Sequence, residues 1–306
     1  MPPPAPTAAP TASRWWADRR GWPLAAIGVL LVASGLAHVF VWAALGGPWE
    51  GPVTWRKPIL FGVSGGLTSL SLGWIWSKLP WRRGDVWLAS AAAWALFVEV
   101  VLIDLQRWRG LASHFNRQTP LDSFLYDAMG GLIIFVTAVA IDLTIRCFRQ
   151  RPALPADMLL AARAGLVLLV ISCLLGIGIS VYGDVRMTAG LPPEIYGAAG
   201  VTKFPHGAVI HALQWLPLLA WAARRAGLPE SYRWRLAASA TVGSVLVGSY
   251  AIVQTLSGRS RFDAPPAATA MLAIGLACLA VPMVAIVAAF SAAVSARQPV
   301  TKSRGP

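Results

Sequence analysis

Residues 22–45 read WPLAAIGVLLVASGLAHVFVWAAL, a run without a single Asp, Glu, Lys or Arg. Coiled as a helix at about 1.5 Å per residue, it is long enough to cross the roughly 30 Å hydrocarbon core of a bilayer. Seven more runs of this kind follow, at about 58–78, 86–105, 121–147, 157–183, 203–223, 232–256 and 267–295. None has the short alternating pattern of a barrel strand, and lipid forces a spanning backbone to satisfy its own hydrogen bonds. The sequence therefore predicts an all-α fold, a polytopic membrane helix bundle of about eight transmembrane helices over residues 22–297. Its expected partner is the lipid bilayer. Hydrophobic residues are 56% of the chain and charged residues 13%, a balance that excludes a water-soluble domain of this size.

Residues 1–21 open with the low-complexity stretch MPPPAPTAAPTAS and turn basic and aromatic at Arg14, Trp15, Trp16, Arg19 and Arg20. They read as a disordered tail leading to an interfacial anchor. A signal peptide is not expected, because the next apolar run is a full span. Residues 298–306 read as a short cytoplasmic tail.

The formal charge of +13 invites a nucleic-acid reading, but its distribution argues for topology instead. Assigning the connections alternately to two sides puts 17 Lys and Arg on the side of the N-terminus and 9 on the other. The positive-inside rule then places both termini in the cytoplasm, as in a bacterial plasma (inner) membrane protein. No nucleic-acid partner is expected. Cys147, Cys173 and Cys278 fall inside spans without a CxxC pattern and read as small hydrophobes. Tryptophans near span ends, among them Trp22, Trp42, Trp55 and Trp108, fit an interfacial belt.

The second and sixth spans both open with a lysine followed by a proline, Lys57-Pro58 and Lys203-Phe204-Pro205. Spans three and seven align at a similar offset. The pattern hints at a weak 4+4 parallel repeat of the kind found in some transporters.

Ionisable residues at membrane depth are costly and tend to mark functional positions. Counting helical rise from the span ends puts His38, Glu99, Asp127, His211 and Tyr250 on five different helices at a similar depth. That level is on the order of 10 Å below the side opposite the termini. Gln214 lies one turn beyond His211, while His206, His114, Arg109 and Asn116 fall above as a rim. Three classes of chemistry fit this set. In the first, His38 and His211 ligate a haem b, or with Glu99 a divalent metal, in a redox protein. Glu99 and Tyr250 are then the catalytic candidates, and Arg109 a contact for a haem propionate or an anionic small-molecule substrate. In the second, Glu99, Asp127 and the histidines serve a small-solute or proton/cation-coupled transporter. In the third, the polar residues only hold helices together. His206 and His211, five apart, sit about 140° from each other on a straight helix and cannot form an i, i+4 ligand pair without distortion. Whether the chain is an enzyme, and its oligomeric state, are open from sequence.

The segments WRKPILFG, QRWRG with SHFN, and HALQ resemble stretches of uncharacterised eight-helix bacterial integral membrane proteins. That resemblance implies the same helical membrane fold and carries no activity. Helix count and four histidines are also superficially similar to the haem A synthase family, whose paired external cysteines and Glu-His motifs are missing here. The HxxxH zinc pair of alkaline-ceramidase-type and adiponectin-receptor-type hydrolases does not match the spacing of His206 and His211.

Overall fold

The computed structural model describes residues 14–150 and 152–295. Most of the expected N-terminal tail and all of the 298–306 tail lie outside the described residues. Among the described residues, seven helices are long and apolar enough to cross a membrane. They are α1 (Gly21–Leu45), α2 (Arg56–Lys78), α3 (Asp85–Trp108), α4 (Pro120–Arg149), α5 (Ala156–Thr188), α8 (Glu230–Leu256) and α9 (Pro266–Ser295). The expected sixth span is instead two shorter helices, α6 (Lys203–Val209) and α7 (Ala212–Arg225). A two-residue hairpin, β1 (Ile195–Tyr196) with β2 (Gly200–Val201), pairs antiparallel in the connection between α5 and α6. The protein is a multi-pass helical membrane protein, as the apolar runs predicted.

Local chemistry sets several ends. Thr119 caps α4: its hydroxyl oxygen accepts from the Asp122 N–H at 3.1 Å, and Pro120 occupies the first turn, where its missing N–H costs nothing. After α1 the chain leaves the helix through Gly46, whose φ of 66° favours a residue without a Cβ.

Helices α1 and α2 form the tightest pair because both are notched with glycine. A Cβ added to Gly66 would lie 2.6 Å from the Gly28 carbonyl oxygen, and one added to Gly35 would lie 2.7 Å from the Val63 nitrogen. Without side chains at these positions the two backbones touch, which gains dispersion contacts that lipid tails cannot match. Ser69 adds a hydroxyl bond of 2.7 Å to the Leu24 carbonyl across the same seam. Gly165 gives α5 a comparable approach to α7, where its Cβ would meet Leu213 Cα at 2.6 Å.

The packing partners of the second half echo those of the first. Helix α1 packs on α2 and α3, and α3 on α4; α5 packs on α6, α7 and α8, and α8 on α9. The halves join through α4 against α5, with a smaller contact between α2 and α7.

At the end of the bundle that carries the turns before α3, α5 and α8, arginines clamp buried aspartates. Asp85, fully buried, accepts two bonds from Arg146 at 2.8 and 3.0 Å, and Arg20 stands 3.6 Å away. Asp157, also fully buried, is held by Arg224 and Arg233. Each clamp fastens three helix ends at once. The charge at this end, which the sequence presented as topology information, is therefore partly internal structure. We call it the basic face and the opposite end the loop face.

The close approach makes a direct prediction. Gly66→Ala should cost about 1–3 kcal/mol, because the new methyl must push two backbones apart. Gly130→Ala, whose Cβ meets nothing within 4 Å, should leave melting unchanged or raise it. Thermal melting of both variants in one detergent checks this, and equal losses would sink the close-packing account.

Candidate functional site

Glu99 sits in the middle of α3 and is 5% exposed. Leu96 and Val100 beside it belong to the apolar core. Across the helix interface stand Cys173 of α5, within electrostatic reach of the carboxylate, and Thr137 of α4, next to Cys173. Among the described residues no cation and no hydrogen-bond donor meets the Glu99 carboxyl, and burial alone sets its environment. An unpaired charge at such a place is among the most expensive features a bundle can carry.

The adjacent residue on α5 connects this region to the broken sixth span. Ser172 donates its hydroxyl to the His206 carbonyl at 2.9 Å, while His206 Nδ1 lies 2.8 Å from the Ser172 carbonyl and donates to it. That reciprocal clip fixes the His206 tautomer and leaves Nε2 with no hydrogen bond among the described residues. Gly176 makes room for the ring, since a Cβ there would stand 3.2 Å from Nδ1. Helix α6 ends at Val209 and α7 restarts at Ala212, with Ile210 and His211 forming the turn between them. His211 Nδ1 lies 3.3 Å from Gln214 Oε1, and the Gln214 amide nitrogen is buried without a partner. His206 and His211 lie within electrostatic reach of each other.

His38 belongs elsewhere. Its Nδ1 donates to the Ser34 carbonyl at 2.9 Å, and its Nε2 accepts from the Trp108 indole N–H at 3.2 Å. Both ring nitrogens are thus engaged, and the lone pair needed for ligation is covered. Trp55 and Trp108 flank the ring at 6.0 and 6.3 Å. His38 lies one turn beyond Ser34, and Ser34 bonds Asp104 at 3.3 Å, five residues along α3 from Glu99. His38 and Glu99 are therefore offset by about 13 Å along the bundle axis, not level as span-end counting suggested. The count failed because α3 runs on to Trp108 and α1 is set in register with it by Ser34 and Asp104. His38 and His211 also pack in different helix groups, α1 with α2 and α3 against α5 with α7 and α8. Among the described residues no group of three or more His, Cys, Asp or Glu is placed to hold a metal ion, so His38, His211 and Glu99 are not brought together as a metal set.

The remaining candidates are engaged in structural bonds. The Tyr250 hydroxyl donates to the Arg261 carbonyl at 2.5 Å and ties the end of α8 to the following loop. Asp127 shares Arg117 with Asp184, at 2.8 and 3.0 Å, joining α4 to α5. Arg109 Nη1 bonds both Gln106 and Asp122, at 2.5 and 2.9 Å. The Asn116 amide donates to the Ala112 carbonyl at 3.0 Å and shapes its own loop. These groups were legible as polar residues near span ends; their partners were not.

At the loop face, His114 is enclosed by Phe61 and Tyr126, with Nδ1 2.9 Å from Ser113 Oγ. Lys57 and Lys203, the two lysines that open the second and sixth spans, both act on it, and Lys203 pairs with Glu194 at 2.7 Å. Burial first, and then the two ammonium groups, push the His114 imidazole down to about 3. The sequence signal that could have found this cluster was the recurring lysine-proline pair.

No protein-family model, curated protein or solved structure matches the chain. The fold therefore defines a class, the multi-pass helical membrane proteins in contact with lipid, and any narrower reading rests on the geometry above.

His114 gives a pH prediction. Its folded value lies below the ordinary 6.5, so between about 6.5 and 3 the unfolded chain binds a proton that the folded chain refuses. Stability should fall as pH drops through that window, by up to about 1.4 kcal/mol per pH unit from this one group. His114→Asn should flatten the decline between pH 6.5 and 5 when melting temperatures are compared with those of the native protein. An unchanged slope would refute the assignment.

Proposed function

We propose that this protein is a proton-coupled carrier for a small solute, with Glu99 as its proton-binding group. The observation that carries this reading is the buried Glu99 carboxyl itself, with neither cation nor donor beside it. Structural carboxylates in the same molecule look different: Asp85, Asp122 and Asp157 are each saturated by arginine or amide partners. A carboxyl kept apolar and unpaired can exist there cheaply only when neutral, which suits a group that must gain and lose a proton during a cycle.

Three features support the carrier reading over a redox one. The sixth span is interrupted in the manner of the discontinuous helices that form transport sites. His206 precedes that interruption and His211 lies in it, each with Nδ1 anchored and Nε2 without a hydrogen bond among the described residues, an arrangement suited to passing a proton. The repeated packing order of the two halves fits a 4+4 parallel duplication, with α6 and α7 together serving as one broken crossing and completing eight. In this reading the basic face is cytoplasmic, both termini are inside, and the membrane is the bacterial plasma membrane.

The test needs no knowledge of the solute. Proteoliposomes adsorbed on a solid-supported membrane should give a transient charge displacement after a pH jump. Glu99→Gln should reduce it to the level of protein-free vesicles, with melting unchanged. A native protein without any displacement, or one whose signal survives Glu99→Gln, would overturn the proposal.

A further inference from the structure

A cavity of ligand size lies away from both Glu99 and the loop face. It is a groove of about 560 Å³ open to the side of the bundle, between α5 and α8 with α6 as its floor. Leu160, Ala164, Val167, Ile171 and Leu175 form its α5 wall, and Val245 and Gly248 lie opposite. The wall residues recur every three or four positions, so the groove runs along the helices. From Ala156 to Leu175 it covers about 28 Å of rise, close to the thickness of the hydrocarbon core. Val167, Ile171 and Val245 are 37%, 39% and 46% exposed, and that exposure faces lipid in a membrane-embedded bundle.

The basic-face end of the groove is chemically distinct. Arg163 lines it with Trp234. The Arg163 guanidinium bonds the Cys147 carbonyl through Nε and Nη2, both at 3.1 Å, which sets it level with the last turn of α4. Its Nη1 makes no hydrogen bond among the described residues. An apolar channel one leaflet or more in length, closed at one end by a cation and an interfacial indole, complements a molecule with a long hydrocarbon tail and an anionic head. Its volume falls within the usual range of ligand sites.

We infer that the α5–α8 groove is a lipid-binding site that holds an acyl chain of an anionic glycerophospholipid, with the phosphate at Arg163 Nη1. The bound lipid fills the space between the two helices and fastens α8 to α5 on the bilayer side. This is independent of the proposed carrier activity.

Native mass spectrometry of protein extracted from vesicles of equal phosphatidylglycerol and phosphatidylcholine tests it. One phospholipid per chain should survive detergent exchange, with phosphatidylglycerol favoured by about tenfold. Arg163→Gln should erase the headgroup preference. Because Arg163 also caps α4, a second variant is needed: Val245→Trp, on the open wall, should fill the groove and abolish retention without lowering the melting temperature. The site is overturned if the native protein retains no lipid or shows no headgroup preference. It is equally overturned if the retained mass is an apolar molecule without a phosphate, or if Val245→Trp keeps its lipid.

Discussion

A backbone amide or carbonyl left without a partner in hydrocarbon costs several kcal/mol, and the architecture follows from avoiding that cost. Seven segments meet it by unbroken helix. The expected sixth span is instead divided into α6 and α7. Where the helix is interrupted at Ile210 and His211, the Ser172 hydroxyl bonds the His206 carbonyl, and the His211 carbonyl accepts from the Gln214 and Trp215 amides. The His206 carbonyl also accepts from the Ile210 amide at 3.2 Å, so the Ser172 hydroxyl adds a tie from the interrupted segment to α5, which approaches α7 closely at Gly165.

The same economy governs the side chains. Most polar groups that cross-link the helices are paired with another element: Asp85 with Arg146, Asp122 with Gln106 and Arg109, Asp127 with Arg117, His38 with Trp108. Those that run between helices, such as Asp85 with Arg146 and His38 with Trp108, fix a register that apolar packing alone leaves free to slide. Against this background Glu99 stands apart. Cys173 lies within electrostatic reach of it, and among the described residues no arginine and no hydrogen-bond donor meets it. A buried carboxyl that contributes nothing to register is where a working residue is to be sought.

Legibility in the sequence differed sharply between fold and site. The spans at 22–45, 86–105 and 267–295 were plain, and the Thr119 cap with Pro120 marked the start of α4 to the residue. Glu99 was also conspicuous, because a carboxylate in an apolar run violates local chemistry. What misled was the assumption that depth can be counted from span ends. Helix α3 extends to Trp108, and the Ser34–Asp104 bond decides how α1 sits against it. His38 therefore parted company with Glu99 along the bundle axis. The turn at Ile210 and His211, which divides the sixth apolar run into α6 and α7, was equally invisible in the sequence.

The sequence by itself determined that this is a membrane protein, how many apolar runs it has, and which residues break their apolar rule. Those properties are local: a run of twenty apolar residues is long enough to cross lipid whatever its neighbours do. Only the tertiary structure decided which polar side chains find partners, where the sixth apolar run breaks into two helices, and that a groove opens between α5 and α8. Such outcomes depend on contacts between residues distant along the chain, as Ser172 is from His206 or Asp85 from Arg146. Composition carries no record of which distant surfaces will meet.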